Sequence, residues 1–208
     1  MRILVVLIVL LLVGSPTYSQ FKVGLKGGGN MVNVAMERSD FLDSNVLRPA
    51  FHVGMYGLCY LNEKMLVQAD LLFANRGFQS KANNNLDRAR VHLNYISLPI
   101  LFGYQLNEKL SARLGLETSY LLSARSKFDN QVINIGWLWD RKIDVGIACG
   151  LNYTATNKVD LGIRYTHGLL NVISSKVQLT DKQGNLMEVG KFKSQNRVFQ
   201  LSAGYRLN

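Results

Sequence analysis

Apolar and polar residues alternate with a period of two along most of this chain. From Tyr95 to Gln105, the residues Ile96, Leu98, Ile100, Phe102 and Tyr104 share one face of an extended strand. After the polar turn Asn107-Glu108-Lys109, Leu110, Ala112, Leu114 and Leu116 form a second apolar face, opposed by Ser111, Arg113, Gly115 and Glu117. The same alternation predicts strands over Gln20 to Met31, Pro49 to Leu61, Met65 to Phe73, Tyr95 to Gln105, Leu110 to Leu122, Ile143 to Tyr153, Val159 to Thr166 and Val198 to Leu207. Short turns follow the second, fourth and sixth strands, and the tripeptide Asn62-Glu63-Lys64 recurs as Asn107-Glu108-Lys109. Long polar segments follow the others, over Val32 to Arg48, Arg76 to Arg90, Ser123 to Arg141 and Asn171 to Asn196. The last contains Asp181-Lys182-Gln183-Gly184-Asn185, the tip of an extended hairpin. The expected fold is all-β: an eight-stranded antiparallel up-and-down transmembrane β-barrel with short periplasmic turns and long extracellular loops.

Alternation alone does not say which face meets the surroundings. A soluble barrel of the lipocalin type turns its apolar face inward; a membrane barrel turns it toward lipid. Three features favour the membrane. The minority face is small and rich in glycine, it carries charges of both signs, and the chain ends on the aromatic strand Phe199 to Tyr205. Strands of about 10 to 12 residues suit a tilted bilayer crossing.

Composition fits this picture. The 208 residues are 48% hydrophobic, with 18 Gly and 3 Pro, yet mean hydropathy is close to zero. At the start, Arg2, the apolar run Ile3 to Val13 and Gly14-Ser15-Pro16-Thr17-Tyr18-Ser19 read as a secretory signal peptide over residues 1–19, leaving 20–208 as the barrel domain. Cys59 and Cys149 lie on apolar faces and read as small hydrophobes. The net charge of +10 is spread over loops at Lys81, Arg88, Arg90, Lys176, Lys182, Lys191 and Lys193. That spread suits the phosphate-rich outer leaflet better than nucleic acid, which is not an expected partner.

Three stretches resemble a known family. Tyr95-Ile96-Ser97-Leu98-Pro99-Ile100-Leu101-Phe102-Gly103-Tyr104 is similar to the Tyr-x-x-x-Pro-x-x-x-x-Tyr strand of the PorT-type outer-membrane β-barrel proteins of Bacteroidota. Phe21-Lys22-Val23-Gly24-Leu25-Lys26-Gly27-Gly28 resembles that family's first strand, and Leu201-Ser202-Ala203-Gly204-Tyr205-Arg206-Leu207 its last. The resemblance implies an outer-membrane barrel domain, with one branch tied to secretion and gliding machinery. It carries over no catalytic residue.

The inward charges predicted by the alternation are Lys22, Lys26, Asp70, Arg113, Glu117, Asp144, Asp160, Arg164 and Arg206. An eight-stranded barrel has room inside for side chains and little else, and a buried charge must be paired. The expectation is a lumenal ion-pair network of Asp70, Arg113, Glu117, Asp144 and Arg164 that plugs the barrel. His52, His92 and His167 lie on separate strands, without a metal spacing or a Gly-x-Ser-x-Gly elbow. No metal, cofactor or catalytic residue is expected. Tyr104, Tyr153 and Tyr205 are predicted at one membrane interface, and Phe73, Tyr120, Tyr165 and Phe199 at the other. Trp137 and Trp139 are girdle or partner-binding candidates. The expected role is a non-enzymatic outer-membrane scaffold or interaction protein. Its expected partners are membrane lipid, lipopolysaccharide and envelope or secretion proteins. A small-solute channel and an outer-membrane lipid-modifying enzyme are the alternatives.

Overall fold

A computed structural model describes residues 21–37, 45–80, 90–128, 131–136, 141–171, 178–180, 186–188 and 193–208. The strands are β1 (Phe21–Glu37), β2 (Asn45–Val46), β3 (Arg48–Tyr60), β4 (Met65–Ser80), β5 (Arg90–Gln105), β6 (Leu110–Phe128), β7 (Gln131–Asn134), β8 (Ile143–Thr154), β9 (Val159–Gly168), β10 (Gln178–Thr180), β11 (Leu186–Glu188) and β12 (Lys193–Arg206). Eight of them, β1, β3, β4, β5, β6, β8, β9 and β12, pair antiparallel with their sequence neighbours. Pairing of β1 with β12, from Gly24↔Arg206 to Glu37↔Lys193, closes the barrel. At this seam Leu207 N donates to Val23 O at 2.8 Å, and the Asn208 amide exchanges hydrogen bonds with Val23 N and Phe21 O. A side chain at Gly28 would sit 1.9 Å from Leu201 O, so glycine is what lets β12 approach β1 there.

The direction of the two faces resolves the ambiguity left by alternation. Leu114, Leu116 and Ile100 are 60%, 56% and 54% exposed, and Phe51, Val53, Met55, Leu71, Phe102, Ile147, Leu161 and Leu201 continue their belt around the wall. Lys26, Asp70, Arg113, Glu117, Asp144, Asp160, Arg164 and Arg206 are buried inside. A continuous apolar outer wall around a charged interior is stable in lipid and not in water. The three short turns share one design. Asn62 Oδ1 accepts from Lys64 N and Met65 N at 2.9 and 2.8 Å, and Asn107 Oδ1 accepts from Lys109 N and Leu110 N at 2.9 Å each. Thr156 Oγ1 takes the same two positions before Val159. The repeated tripeptide is thus a repeated side-chain-to-backbone turn.

At the opposite end the strands run further than the alternation predicts. β1 continues to Glu37, β4 to Ser80 and β6 to Phe128, while β5 begins at Arg90 and β12 at Lys193. Much of the expected loops over Val32 to Arg48 and Arg76 to Arg90 is therefore sheet. Past the lipid the outer wall no longer has to be apolar, so the alternation fades while the pairing continues. A β-bulge also interrupts it: Tyr95 pairs with Leu121 and Asn94 with Ser123, leaving Leu122 as the extra residue. The expected hairpin in the last long segment is present as β10 paired with β11, from Gln178↔Glu188 to Thr180↔Leu186. Its tip, residues 1–20, Lys81, Arg88, Trp137, Trp139, Lys176, Lys182 and Lys191 lie outside the described residues.

Candidate functional site

The lumen is the chemically richest part of the molecule. Nearest the loop-bearing end, Arg76 of β4 pairs with Glu117 of β6 through Nη2 and approaches Asp144 of β8 at 3.8 Å. Ser97, Ser119 and Thr166 complete this layer: Arg76 Nη2 also donates to Ser97 Oγ at 3.0 Å, and Thr166 Oγ1 donates to Glu117 Oε2 at 3.1 Å. Below it, Asp70 of β4 accepts from Lys26 Nζ at 3.0 Å and from Arg164 Nη2 at 2.7 Å. Gln68 supports its other oxygen. Nearer the turns, Arg206 of β12 grips Asp160 of β9, which also accepts from Tyr56 OH at 2.9 Å across the barrel. These pairs join strands distant in sequence, so the charged side chains tie the wall together across its interior.

Asp70, Glu117, Asp144 and Arg164 of the expected network all point inward and all meet an opposite charge. They do so in separate layers rather than around one centre. Arg113 is placed differently. It is buried, its Nε donates to Ser111 Oγ at 3.3 Å, and among the described residues it meets no carboxylate at ion-pair distance. The lumenal residue that the alternation does not reach is Arg76, because the expected third strand stops at Phe73 and leaves it in a loop. Continuing the two-residue period of Leu72 and Ala74 would have placed it inside.

Apolar side chains bound this polar column. At the loop-bearing end Val34, Phe78, Val91, Leu93, Tyr95, Leu121 and Ala124 form one buried cluster, with Ile135 packed against it. The Tyr95 ring lies 5.1 Å from the Arg76 guanidinium, so this cluster rests directly on the uppermost charges. At the turn end Tyr56, Leu58 and Leu66 pack together with Tyr60.

The three histidines are dispersed. His52 Nδ1 bonds Asn30 Oδ1 at 2.6 Å in the lumen, His92 Nδ1 bonds Arg48 Nη2 at 2.7 Å, and His167 contacts Tyr165 on the outer wall. Among the described residues no three His, Cys, Asp or Glu side chains are grouped to hold a metal ion. Arg48 is a structural lock. Its guanidinium donates to the carbonyls of Arg76 and Val91 at 2.8 and 3.0 Å and to Asn75 Oδ1 at 2.6 Å. It lies against Gly77, whose φ of 128° and lack of a side chain make the room.

On the outside, Tyr104, Tyr153 and Tyr205 are exposed near the turn end, and Tyr120, Tyr165 and Phe199 near the other. Beyond the second set, the exposed charges among the residues whose side chains are described are basic. Arg197 pairs with His167 two residues past Phe199↔Tyr165. Arg125 pairs with His92 and Lys127 with Arg90 across β5 and β6, while Arg141 and Lys142 are exposed just before β8. Among residues whose side chains are described, the exposed carboxylates are Glu63 and Glu108, both in turns at the opposite end.

Comparison with known proteins agrees with this geometry. Residues 15–174 match the family model described as outer membrane protein beta-barrel domain. Neisserial surface protein A (NspA) superimposes with a TM-score of 0.55 at 12% identity, covering 91% of this chain and 99% of NspA. Ail, the attachment invasion locus protein of Yersinia pestis, does so with a TM-score of 0.50 at 16% identity, covering 89% of this chain and 98% of Ail. Ail bound to the heparin analogue sucrose octasulfate gives a TM-score of 0.51 at 14% identity, covering 90% and 99%. At such identities these likenesses speak for the fold alone. No curated protein matches the sequence. With a family match over most of its length, an apolar outer wall and a closed antiparallel barrel, the chain belongs to the outer membrane protein beta-barrel domain family and is an outer-membrane β-barrel protein.

Proposed function

We propose that this barrel is a non-enzymatic scaffold or interaction protein of the outer membrane, engaging lipopolysaccharide through the outer wall of its loop-bearing end. The carrying observation is a group of exposed cations at this end, apart from Lys64, Lys109 and Lys158 in the turns. Arg90, Arg125, Lys127, Arg141, Lys142 and Arg197 lie beyond the aromatic girdle on β5, β6, β12 and the approach to β8, on one arc of the wall. Phosphates of an outer-leaflet lipid lie at this level, and an arginine guanidinium can bind a phosphate through two parallel hydrogen bonds. The layered lumen beneath its apolar cluster favours this reading over a solute channel. The dispersed histidines favour it over a lipid-modifying enzyme. The PorT-type resemblance makes an envelope-assembly or secretion protein the class of protein partner to seek, and the signal peptide over residues 1–19 is the proposed route of export.

The test uses the purified barrel in bilayers of matched thickness, with and without lipopolysaccharide. Retention of lipopolysaccharide through detergent exchange, reduced severalfold in an Arg125→Gln, Arg197→Gln double variant and reversed by sucrose octasulfate, is expected. Equal retention by the wild type and the variant would refute the assignment. Cross-linking in the native outer membrane asks separately for a stoichiometric protein partner.

A further inference from the structure

The lumen does not balance its own charge layer by layer. Lys26, Arg113 and Arg164 are buried cations of the lumen, and Asp70 is the carboxylate that pairs with Lys26 and Arg164. Asp70 already accepts from both Lys26 and Arg164. Asp160 and Asp70 attract Arg113 from beyond ion-pair distance, and Asp160 is held by Arg206. Arg113 is therefore left with a neutral hydroxyl, Ser111 Oγ, as its hydrogen-bond partner among the described residues. A buried guanidinium without a counter-charge is among the costliest arrangements a fold can hold.

Two further details give this excess a location. Arg113 of β6 and Arg164 of β9 lie in one cross-strand row, on either side of Gly150 of β8. Gly103 is the partner of Arg113 on its other side. Glycines therefore flank Arg113 on both neighbouring strands: Leu66 packs over Gly103, while at Gly150, between the two arginines, no side chain stands. The second detail is an unused donor. Arg164 is buried, Nη2 binds Asp70, and Nη1 has no acceptor among the described residues.

We propose that the barrel lumen holds a small monovalent anion of the chloride class between Arg113 and Arg164, over Gly150. The anion takes the free Arg164 Nη1 donor and supplies Arg113 with its counter-charge. It is a structural ligand that completes the charged layer around Asp70, and it is independent of the lipopolysaccharide contact on the outer wall. One guanidinium without a bound carboxylate calls for one negative charge, which a halide-class ion supplies without the further acceptors of a phosphate.

Bromide is the probe. The barrel is refolded and crystallised in sodium bromide, and anomalous diffraction is recorded at the bromine edge. A peak within hydrogen-bonding reach, roughly 3.5 Å, of Arg164 Nη1 and of the Arg113 guanidinium is expected. In parallel, the thermal unfolding midpoint is titrated with bromide against fluoride at constant ionic strength. A saturable rise is expected for the wild type, and a flat response for Arg113→Gln. An ordered water in place of the peak, or bromide bound at crystal concentration without a saturable solution response, would overturn the proposal. So would an unchanged bromide dependence in Arg113→Gln. Should that variant not refold, the wild-type anomalous map and titration decide the question alone.

Discussion

At the scale of the residue, Arg76 is the lumenal side chain with most to lose. It faces Glu117 and Asp144 and lies over Tyr95, so it joins the charged column to the apolar cluster above. Arg76→Ala leaves two buried carboxylates without their cation and should cost about 3–5 kcal/mol in urea unfolding from lipid vesicles. Adding Glu117→Gln should recover part of that loss, because the two side chains act as one unit. Gly77→Ala is a backbone test: φ is 128°, and the new Cβ would lie 2.1 Å from Val91 O. A loss of about 1–3 kcal/mol is expected in the same assay. The inward direction of Asp70, Glu117, Asp144 and Arg164 was legible from a period of two. Their partners were not, because pairing across a barrel depends on stagger between strands, which no single strand records. Arg113 shows the limit most clearly: its direction follows from the alternation, its lack of a carboxylate only from the assembled lumen.

At the scale of the element, each long strand has two environments. The part next to the short turns is bounded by lipid and alternates cleanly, as in Leu114 to Tyr120. The far part of β6, from Ser123 to Lys127, is sheet that turns Arg125 and Lys127 outward. Leu116→Arg, placed in the apolar belt, should therefore cost about 2–4 kcal/mol, whereas a charge already stands at Arg125 on the same strand. Unfolding titrations of Leu116→Arg beside Arg125→Leu measure that contrast directly. The positions of the short turns were legible, and the repeated tripeptide marks two of them; Thr156 as the anchor of the third follows only from its hydrogen bonds. The bulge at Leu122 was not, because it arises from the mismatch between β5 and β6 rather than from either strand alone. Asn62→Ala and Asn107→Ala should each cost about 0.5–1.5 kcal/mol, seen as a lower urea midpoint.

At the scale of the whole molecule, strand count, alternating loop lengths and overall polarity were all present in the sequence. What the assembled barrel adds is the vertical order of its interior. An apolar cluster closes the loop-bearing end, then follow Arg76 with Glu117 and Asp144, then Asp70 with Lys26 and Arg164, then Asp160 with Arg206 and Tyr56. That order is the reason the barrel is read as a filled scaffold that works at its outer end. The most direct test is single-channel recording of the purified native barrel in a planar bilayer. No steady conductance step is expected at any holding voltage, even where insertion is confirmed by protease protection. A steady ohmic step, reproducible from one inserted barrel to the next, would show a continuous aqueous path and contradict a filled lumen.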